Sequence, residues 1–364
     1  MILNKLVAAL LLIAGMILAG CGGGGGGIAY SGNGGGSSGG IGGTGVTSTG
    51  TIDGFGSIFV NGVEFETDES EIVLDGVPST DGELRLGMVV TVSGILNEDG
   101  KTGSANLVTF HNELVGPISS IEIFPDNDAL ALTVLGVRII AERAATVFDG
   151  VSFATLAAGD LIEVSGFFES NAQIRATRIE KNATFVAGVS TVKLEGKVSA
   201  LSDNQFSLGT VVVDYSNAEL SDIPQDRITE GLLVEVYGTL TGNVITANLV
   251  EKDEDISHGL DGNSEVSVLG AITDFIDLSH FSVNKVAVDA SSAELEPREL
   301  ALANGLIVEV EGIWDGSKLQ AKAVKSRRGQ VKLAARIASV DTTGKSITVQ
   351  YATGTVTVMI NNKT

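Results

Sequence analysis

The sequence predicts an all-β fold of tandem small five-stranded (OB-like) β-barrel repeats of about 74 residues, preceded by a disordered Gly-rich tether. Three observations lead there. A glycine-bounded apolar signature recurs four times. A pair of alternating runs split by two residues precedes each copy, and a glycine-rich stretch stands ahead of them all.

The chain opens with Met1-Ile2-Leu3-Asn4-Lys5, then the apolar run Leu6 to Leu18 and the tetrad Leu18-Ala19-Gly20-Cys21. One lysine, a short hydrophobic stretch and small residues before a cleavage point make a signal peptide over 1–20, too short for a stable span of about 20 apolar residues. Leu-Ala-Gly-Cys resembles the bacterial lipobox. That resemblance implies cleavage between Gly20 and Cys21 and a diacylglycerol on the Cys21 thiol, with fatty acyl chains such as palmitate. Cys21 is the single cysteine, so the chain can form no internal disulfide. Gly22 stands where an Asp would retain a lipoprotein in the inner membrane, so the expected location is the bacterial cell envelope, lipid-anchored to the outer membrane and either periplasmic or surface-exposed. Residues 21–49 are Gly/Ser-rich and cannot bury a core, so they read as a flexible tether with a reach of roughly 30 Å for about 28 residues. No Gly-Lys-Ser/Thr follows the glycines, so they do not read as a phosphate loop.

The repeats come next, in a row. The signature Leu/Ile-x-x-Gly-x-apolar-apolar-x-Val-x-Gly spans Leu84 to Gly94, Leu156 to Gly166, Ile228 to Gly238 and Leu302 to Gly312. Its first glycines, Gly87, Gly159, Gly231 and Gly305, recur at intervals of 72, 72 and 74 residues. Ahead of each copy lie Ile58-Val60-Val63-Phe65, Leu132-Val134-Val137-Ile139, Phe206-Leu208-Val211-Val213 and Phe281-Val283-Val286-Val288. Side chains alternate faces along a strand, so alternation on both sides of a two-residue break predicts a β-hairpin. The breaks are Asn61-Gly62, Leu135-Gly136, Gly209-Thr210 and Asn284-Lys285; the first is the pair a type I′ turn prefers.

A strand such as Gly116 to Ile121 precedes each hairpin, and an alanine-centred strand such as Ile174 to Ile179 closes each unit. Segments such as Ser152 to Ala158 and Pro297 to Ala303 suit one or two helical turns stopped by a glycine C-cap. Strand, hairpin, short helix, strand, strand matches the OB-type barrel, while another small barrel or roll, or a two-sheet sandwich, also accommodates it. The barrels are placed at 50–114, 115–182, 192–252 and 266–326, joined by linkers of different character over Lys181 to Val192 and Glu251 to Glu265, the second acidic, solvated and flexible. An incomplete fifth repeat occupies 331–364, with alternating runs at Ser346 to Gln350 and Thr355 to Ile360. Either the chain is cut short inside it, which is favoured, or its hairpin pairs with the preceding barrel.

The run Gly54-Phe55-Gly56-Ser57-Ile58-Phe59-Val60-Asn61-Gly62, with Val63 to Thr67 and the repeated glycine-bounded strand, resembles the bacterial envelope repeat known as domain of unknown function 5666. The likeness covers nearly everything from residue 50 onward and weakens in the third and fourth units, which lack the Gly-Phe-Gly-Ser opening. It implies a lipoprotein with tandem β-domains and carries over no catalytic residue.

Chemistry is sparse. A net charge of −22 opposes binding of phosphate backbones, so nucleic acid is excluded as a partner. His111, His258 and His280 lack metal-ligand spacing, and no Gly-x-Ser-x-Gly elbow is present, so no catalytic residue, metal or cofactor is expected. Glu163, Glu235 and Glu309 share one place in the signature strand, where Thr91 stands in the first unit; alternation puts them on a polar face, read as solvated. Asp253-Glu254-Asp255 and Asp261 to Glu265 read as a solvated acidic loop, lacking EF-hand spacing for calcium. Phe59, Phe65, Tyr215, Phe281 and Trp314 are assigned mostly to cores. The expected function is a lipid-anchored, non-enzymatic binding or structural module for envelope protein or polysaccharide. The alternative is an envelope hydrolase with a carboxylate site at a repeat junction.

Overall fold

The computed structural model describes residues 44–125, 128–170, 172–253, 260, 262–327, 336–351 and 354–359. Gly20, Cys21, the signal peptide, His258 and most of the tether lie outside them. The first repeat holds β1 (Thr44–Gly54), β2 (Ile58–Val60), β3 (Val63–Glu66), β4 (Glu71–Leu74), β5 (Val77–Ser79), β6 (Val89–Leu96) and β7 (Thr102–Phe110). β1 pairs antiparallel with β2 and β6, β2 with β3, and β6 with β7, while β3 runs parallel to β7. Five strands therefore close on themselves as an OB-type barrel.

The second repeat has β8 (Leu114–Ile123), β9 (Ala129–Val134), β10 (Val137–Glu142), β11 (Val147–Asp149), β12 (Asp160–Ser170) and β13 (Gln173–Thr184). The third has β14 (Thr191–Ser199), β15 (Gln205–Leu208), β16 (Val211–Asp214), β17 (Glu219–Ser221), β18 (Leu233–Thr241) and β19 (Val244–Lys252). The fourth has β20 (Glu265–Asp277), β21 (His280–Val283), β22 (Val286–Asp289), β23 (Glu294–Glu296), β24 (Ile307–Trp314) and β25 (Leu319–Ser326). Each closes by the same circuit, with parallel contacts β10 to β13, β16 to β19 and β22 to β25, and first-to-fourth contacts β8 to β12, β14 to β18 and β20 to β24. The hairpin residues named from the sequence fill the barrels: fifteen of the sixteen alternating positions are buried, and Val63 is half-buried.

Three expectations are corrected. Where helices were expected, Ser152 to Ala158 and Pro297 to Ala303 are turns and irregular backbone, with single 3-10 turns at Asp81–Glu83 and Pro224–Asp226 in the first and third units; just ahead of these segments a short strand (β4, β11, β17, β23) adds parallel to the last strand of each barrel. Nucleating a helix fixes several residues for one hydrogen bond, and segments this short stop at a single turn, closed by Leu156 N–H to the Ser152 carbonyl in the second unit and Leu300 N–H to the Pro297 carbonyl in the fourth. Gly87, Gly159, Gly231 and Gly305 are accordingly not helix caps. They sit at φ of 80, 88, 80 and 82° in turns whose N–H groups donate to Ile52, Ile118, Val198 and Ile272 of the first strands.

The tether, expected to run to residue 49, gives way to β1 at Thr44, because Val46 to Thr49 are paired on both sides, with β6 and with β20. The barrels are also not a simple row. β1 of the first lies parallel to β20 of the fourth, and Val115 of β8 pairs with Lys193 of β14, joining second to third. One apolar core spans the second and third barrels, while Val89, Phe167 and Ala271 form a small cluster shared by the first, second and fourth.

The fifth unit is an antiparallel meander of β26 (Arg336–Asp341), β27 (Ser346–Tyr351) and β28 (Gly354–Met359). Among the described residues it forms no ladder with the fourth barrel, and Val356 instead packs against the core of the first.

Candidate functional site

Alternation along β14 sends Val192 and Leu194 into the third barrel and Lys193 and Glu195 away from it. The outward face does not reach water. Pairing of β14 with β8 covers it from the second barrel, and the β21–β22 turn of the fourth covers it from the other side. Lys193 and Glu195 are 2% and 9% exposed.

The register then sets three glutamates in a row. Glu195 lies opposite Glu235 across β14 and β18, and Glu235 opposite Glu251 across β18 and β19. Like charges facing across strands destabilise a sheet unless something neutralises them. Two lysines do so here. Lys193 Nζ sits 3.1 Å from Glu235 Oε2 and donates to the Asn112 carbonyl at 2.6 Å, while the Tyr237 hydroxyl donates to the same carboxylate oxygen at 2.9 Å. Lys285 Nζ donates to Glu195 Oε2 at 2.7 Å and to both Asp253 oxygens at 2.9 and 3.0 Å, with the Phe168 ring centroid 5.7 Å away.

Lys285 comes from a strained position. It is the second residue of the β21–β22 turn, at φ 68°, where the first two barrels carry Gly62 and Gly136. A lysine in left-handed backbone costs stability that a glycine would not, and its three oxygen contacts offset that cost. This is the signal by which the sequence could have singled it out.

Five carboxylates share the cluster with two ammonium groups. Burial pushes the Glu113 and Glu251 carboxyls up to about 7 and that of Glu195 up to about 8, with the lysines pulling Glu113 and Glu195 back. Against its own desolvation, Glu235 is held below the ordinary value by Lys193. Also against desolvation, Lys193 and Lys285 are raised by the acids around them. Three acids whose folded pKa exceeds the unfolded value near 4.5 bind extra protons in the native state between about pH 4.5 and 8. Native stability should therefore fall as pH rises through that window. Thermal melts are expected to give a higher Tm at pH 5.5 than at pH 8; a Tm that drops steadily on acidification would contradict proton sharing in the cluster.

Glu195, Glu235 and Asp253 each bring an oxygen within 4.8 Å of the others, a spacing a cation could bridge. The Lys285 ammonium already bridges two of them.

The glutamates read as solvated are corrected by the packing. Glu309 is 1% exposed and pairs with Arg327 at 2.5 Å. Glu163 is half-buried beside Glu180, with burial pushing it to about 7, and Glu235 is locked as described. Each points away from its own barrel, and the neighbouring barrel makes that outside an inside. Asp253, expected in a solvated loop, has a side chain only 5% exposed, while Glu254, Asp255 and Asp261 lie outside the described residues. His111, in the link between the first two barrels, and His280, in the fourth, are both exposed; His280 Nδ1 lies 3.0 Å from Asp277 Oδ1.

Two cavities are small. A cavity of about 20 Å³ lies between the first two barrels, beside Asn112, Glu163 and Arg178. A depression of about 200 Å³ lies on the β21–β22 hairpin beside Asp274, His280 and Lys318. Both fall short of the roughly 300–1,000 Å³ of small-molecule sites.

The family model described as Domain of unknown function (DUF5666) matches residues 45–104, 115–180, 195–251 and 270–325, one stretch in each barrel. No curated protein matches the chain.

Proposed function

This chain belongs to the family Domain of unknown function (DUF5666), and on that footing we propose that it is a lipid-anchored cell-envelope protein whose joined barrels act as a non-enzymatic binding or structural module for protein or polysaccharide. The observation that carries the reading is where the buried charge goes. Lys285 pairs with Glu195 and Asp253 of another barrel, and Lys193 and Arg178, besides pairing with acids of their own barrels, also reach beyond them, Lys193 to the Asn112 carbonyl and Arg178 to the Leu86 carbonyl. A block stiffened in this way suits display or spacing at a surface. The lipobox-like tetrad ending at Cys21 and the glycine-rich residues after it supply the anchor and the reach. A net charge of −22 favours partners other than nucleic acid.

The anchor is tested directly. Cys21→Ala is expected to move the protein from the membrane fraction to the soluble or unprocessed fraction and to abolish labelling by radioactive palmitate. Unchanged membrane fractionation with no lipid label in the parent protein would sink the anchoring claim. Protease accessibility on intact cells then separates periplasmic from surface display.

A hydrolase is the second reading, and the convergence of Glu195, Glu235 and Asp253 at a repeat junction favours it. Acid–base chemistry at carboxylates needs a substrate bond placed between them, and lysine ammonium groups occupy the bonding positions of all three here. Turnover in a substrate screen that disappears in Glu235→Gln would establish the hydrolase over the module.

A further inference from the structure

Lys285 meets two acids at once. Its Nζ lies 2.9 and 3.0 Å from the two Asp253 oxygens and 2.7 Å from Glu195 Oε2, and the Asp253 and Glu195 side chains are only 5% and 6% exposed. Lys193, the other lysine of the cluster, pairs with one carboxylate, Glu235. Glu195 lies on β14 and Asp253 directly follows β19, both in the third barrel, while Lys285 belongs to the fourth. The ladders of β14, β18 and β19 and the β21–β22 hairpin hold the three groups in place. An amine and a carboxyl carbon are thereby kept in contact for the life of the fold.

Proximity changes what such a pair can do. Condensation of a free amine with a free carboxyl is opposed in dilute water, but groups held at contact distance react with effective molarities of about 10⁵–10⁸ M. Burial adds to this, because the amide is neutral and the ion pair it replaces carries two desolvated charges. Desolvation favours the neutral amine on Lys285 and the acids around it favour the ammonium, which prevails. The reacting amine therefore arises by passing a proton to Asp253 along their hydrogen bond. Burial also lifts the Glu195 carboxyl to about 8, so at neutral pH it holds a proton it can exchange with the reacting groups.

We propose that Lys285 and Asp253 condense, without an external enzyme, to an isopeptide bond that joins the fourth barrel covalently to the third, with Glu195 relaying the proton. Lys285 Nζ attacks Asp253 Cγ; one N–C bond forms and one C–O bond breaks. The departing oxygen leaves as water, carrying the proton already received from the ammonium and a second one that Glu195 relays from Nζ. Glu195 ends as it began, and no oxidant or co-reactant is consumed.

The test is peptide mapping of the full chain by mass spectrometry after denaturation and tryptic digestion. Trypsin does not cut after an acylated lysine, so the bond should give a peptide spanning residues 253–298, lighter than its sequence by one water, in place of the peptide that ends at Lys285. Succinimide closure at Asp261-Gly262 would also remove a water, but it leaves Lys285 cleavable. Lys285→Arg, which keeps the charge, and Asp253→Ala should each restore cleavage at position 285 and the full mass. Glu195→Gln should slow accumulation of the bond by at least about tenfold in a time course after synthesis is stopped. A parent in which Lys285 is cut quantitatively with no water lost would overturn the proposal. So would a bond that survives Asp253→Ala, or one that forms in Glu195→Gln at the parent rate.

Discussion

Replacing Lys193 with Met is expected to cost about 3–5 kcal/mol of stability, measured by urea denaturation. The lysine side chain is 2% exposed and its ammonium faces Glu235 Oε2 at 3.1 Å. Methionine fills similar space but leaves the Glu235 carboxylate, opposite both Glu195 and Glu251, with the Tyr237 hydroxyl in place of a cation. It also orphans the Asn112 carbonyl that Lys193 satisfies at 2.6 Å. The loss belongs to an uncompensated buried charge rather than to the value of the pair itself. Adding Glu235→Gln to Lys193→Met should therefore recover part of it, because the amide removes the charge. A single-variant loss below about 1 kcal/mol would mean that water or a proton compensates the carboxylate.

Gly238→Ala should cost about 3 kcal/mol or more. At Gly238 the ladder between β18 and β19 shifts by one residue, a β-bulge, and the strands draw close. An added Cβ would fall within contact of the Thr246 carbonyl oxygen and 2.9 Å from Ala247 Cα, so backbone would have to move. Gly94, Gly166 and Gly312 meet the corresponding carbonyl of Ser104, Arg175 and Gln320 at the same bulge. Gly196→Ala in β14 is the control: its nearest neighbour would be Leu208 Cβ at 3.5 Å, and the change should stay within about 0.5 kcal/mol. Equal effects at the two positions would refute the steric account of the signature glycine.

The repeat period, the hairpins and the closing glycines could be read from the chain because each is a local constraint. Alternation at Phe206-Leu208-Val211-Val213 decides which side chains enter a barrel wherever that barrel sits. The second glycine of the signature marks a close approach within one unit. The helix expected between hairpin and signature does not form because a segment as short as Ser152 to Ala158 gains too few hydrogen bonds to offset nucleation, while the residues just ahead of it, Val147–Asp149, add to the free edge of β13.

The candidate site was hidden for a different reason. Lys193, Glu195, Glu235 and Asp253 all carry the pattern of outward polar residues, and a sequence cannot say what lies outside a barrel. Lys285 reaches Glu195 from 90 positions away in the chain, and no periodicity links them.

The sequence by itself determined the unit: an all-β repeat of fixed period, its core positions and its turns, since these follow from side-chain alternation and backbone sterics over a few residues. Only the tertiary structure decided that the first barrel joins the fourth and the second the third, and hence that polar outer faces become a buried cluster of acids held by two lysines. Burial of a charge depends on the neighbour that excludes its water, and that neighbour comes from a distant repeat.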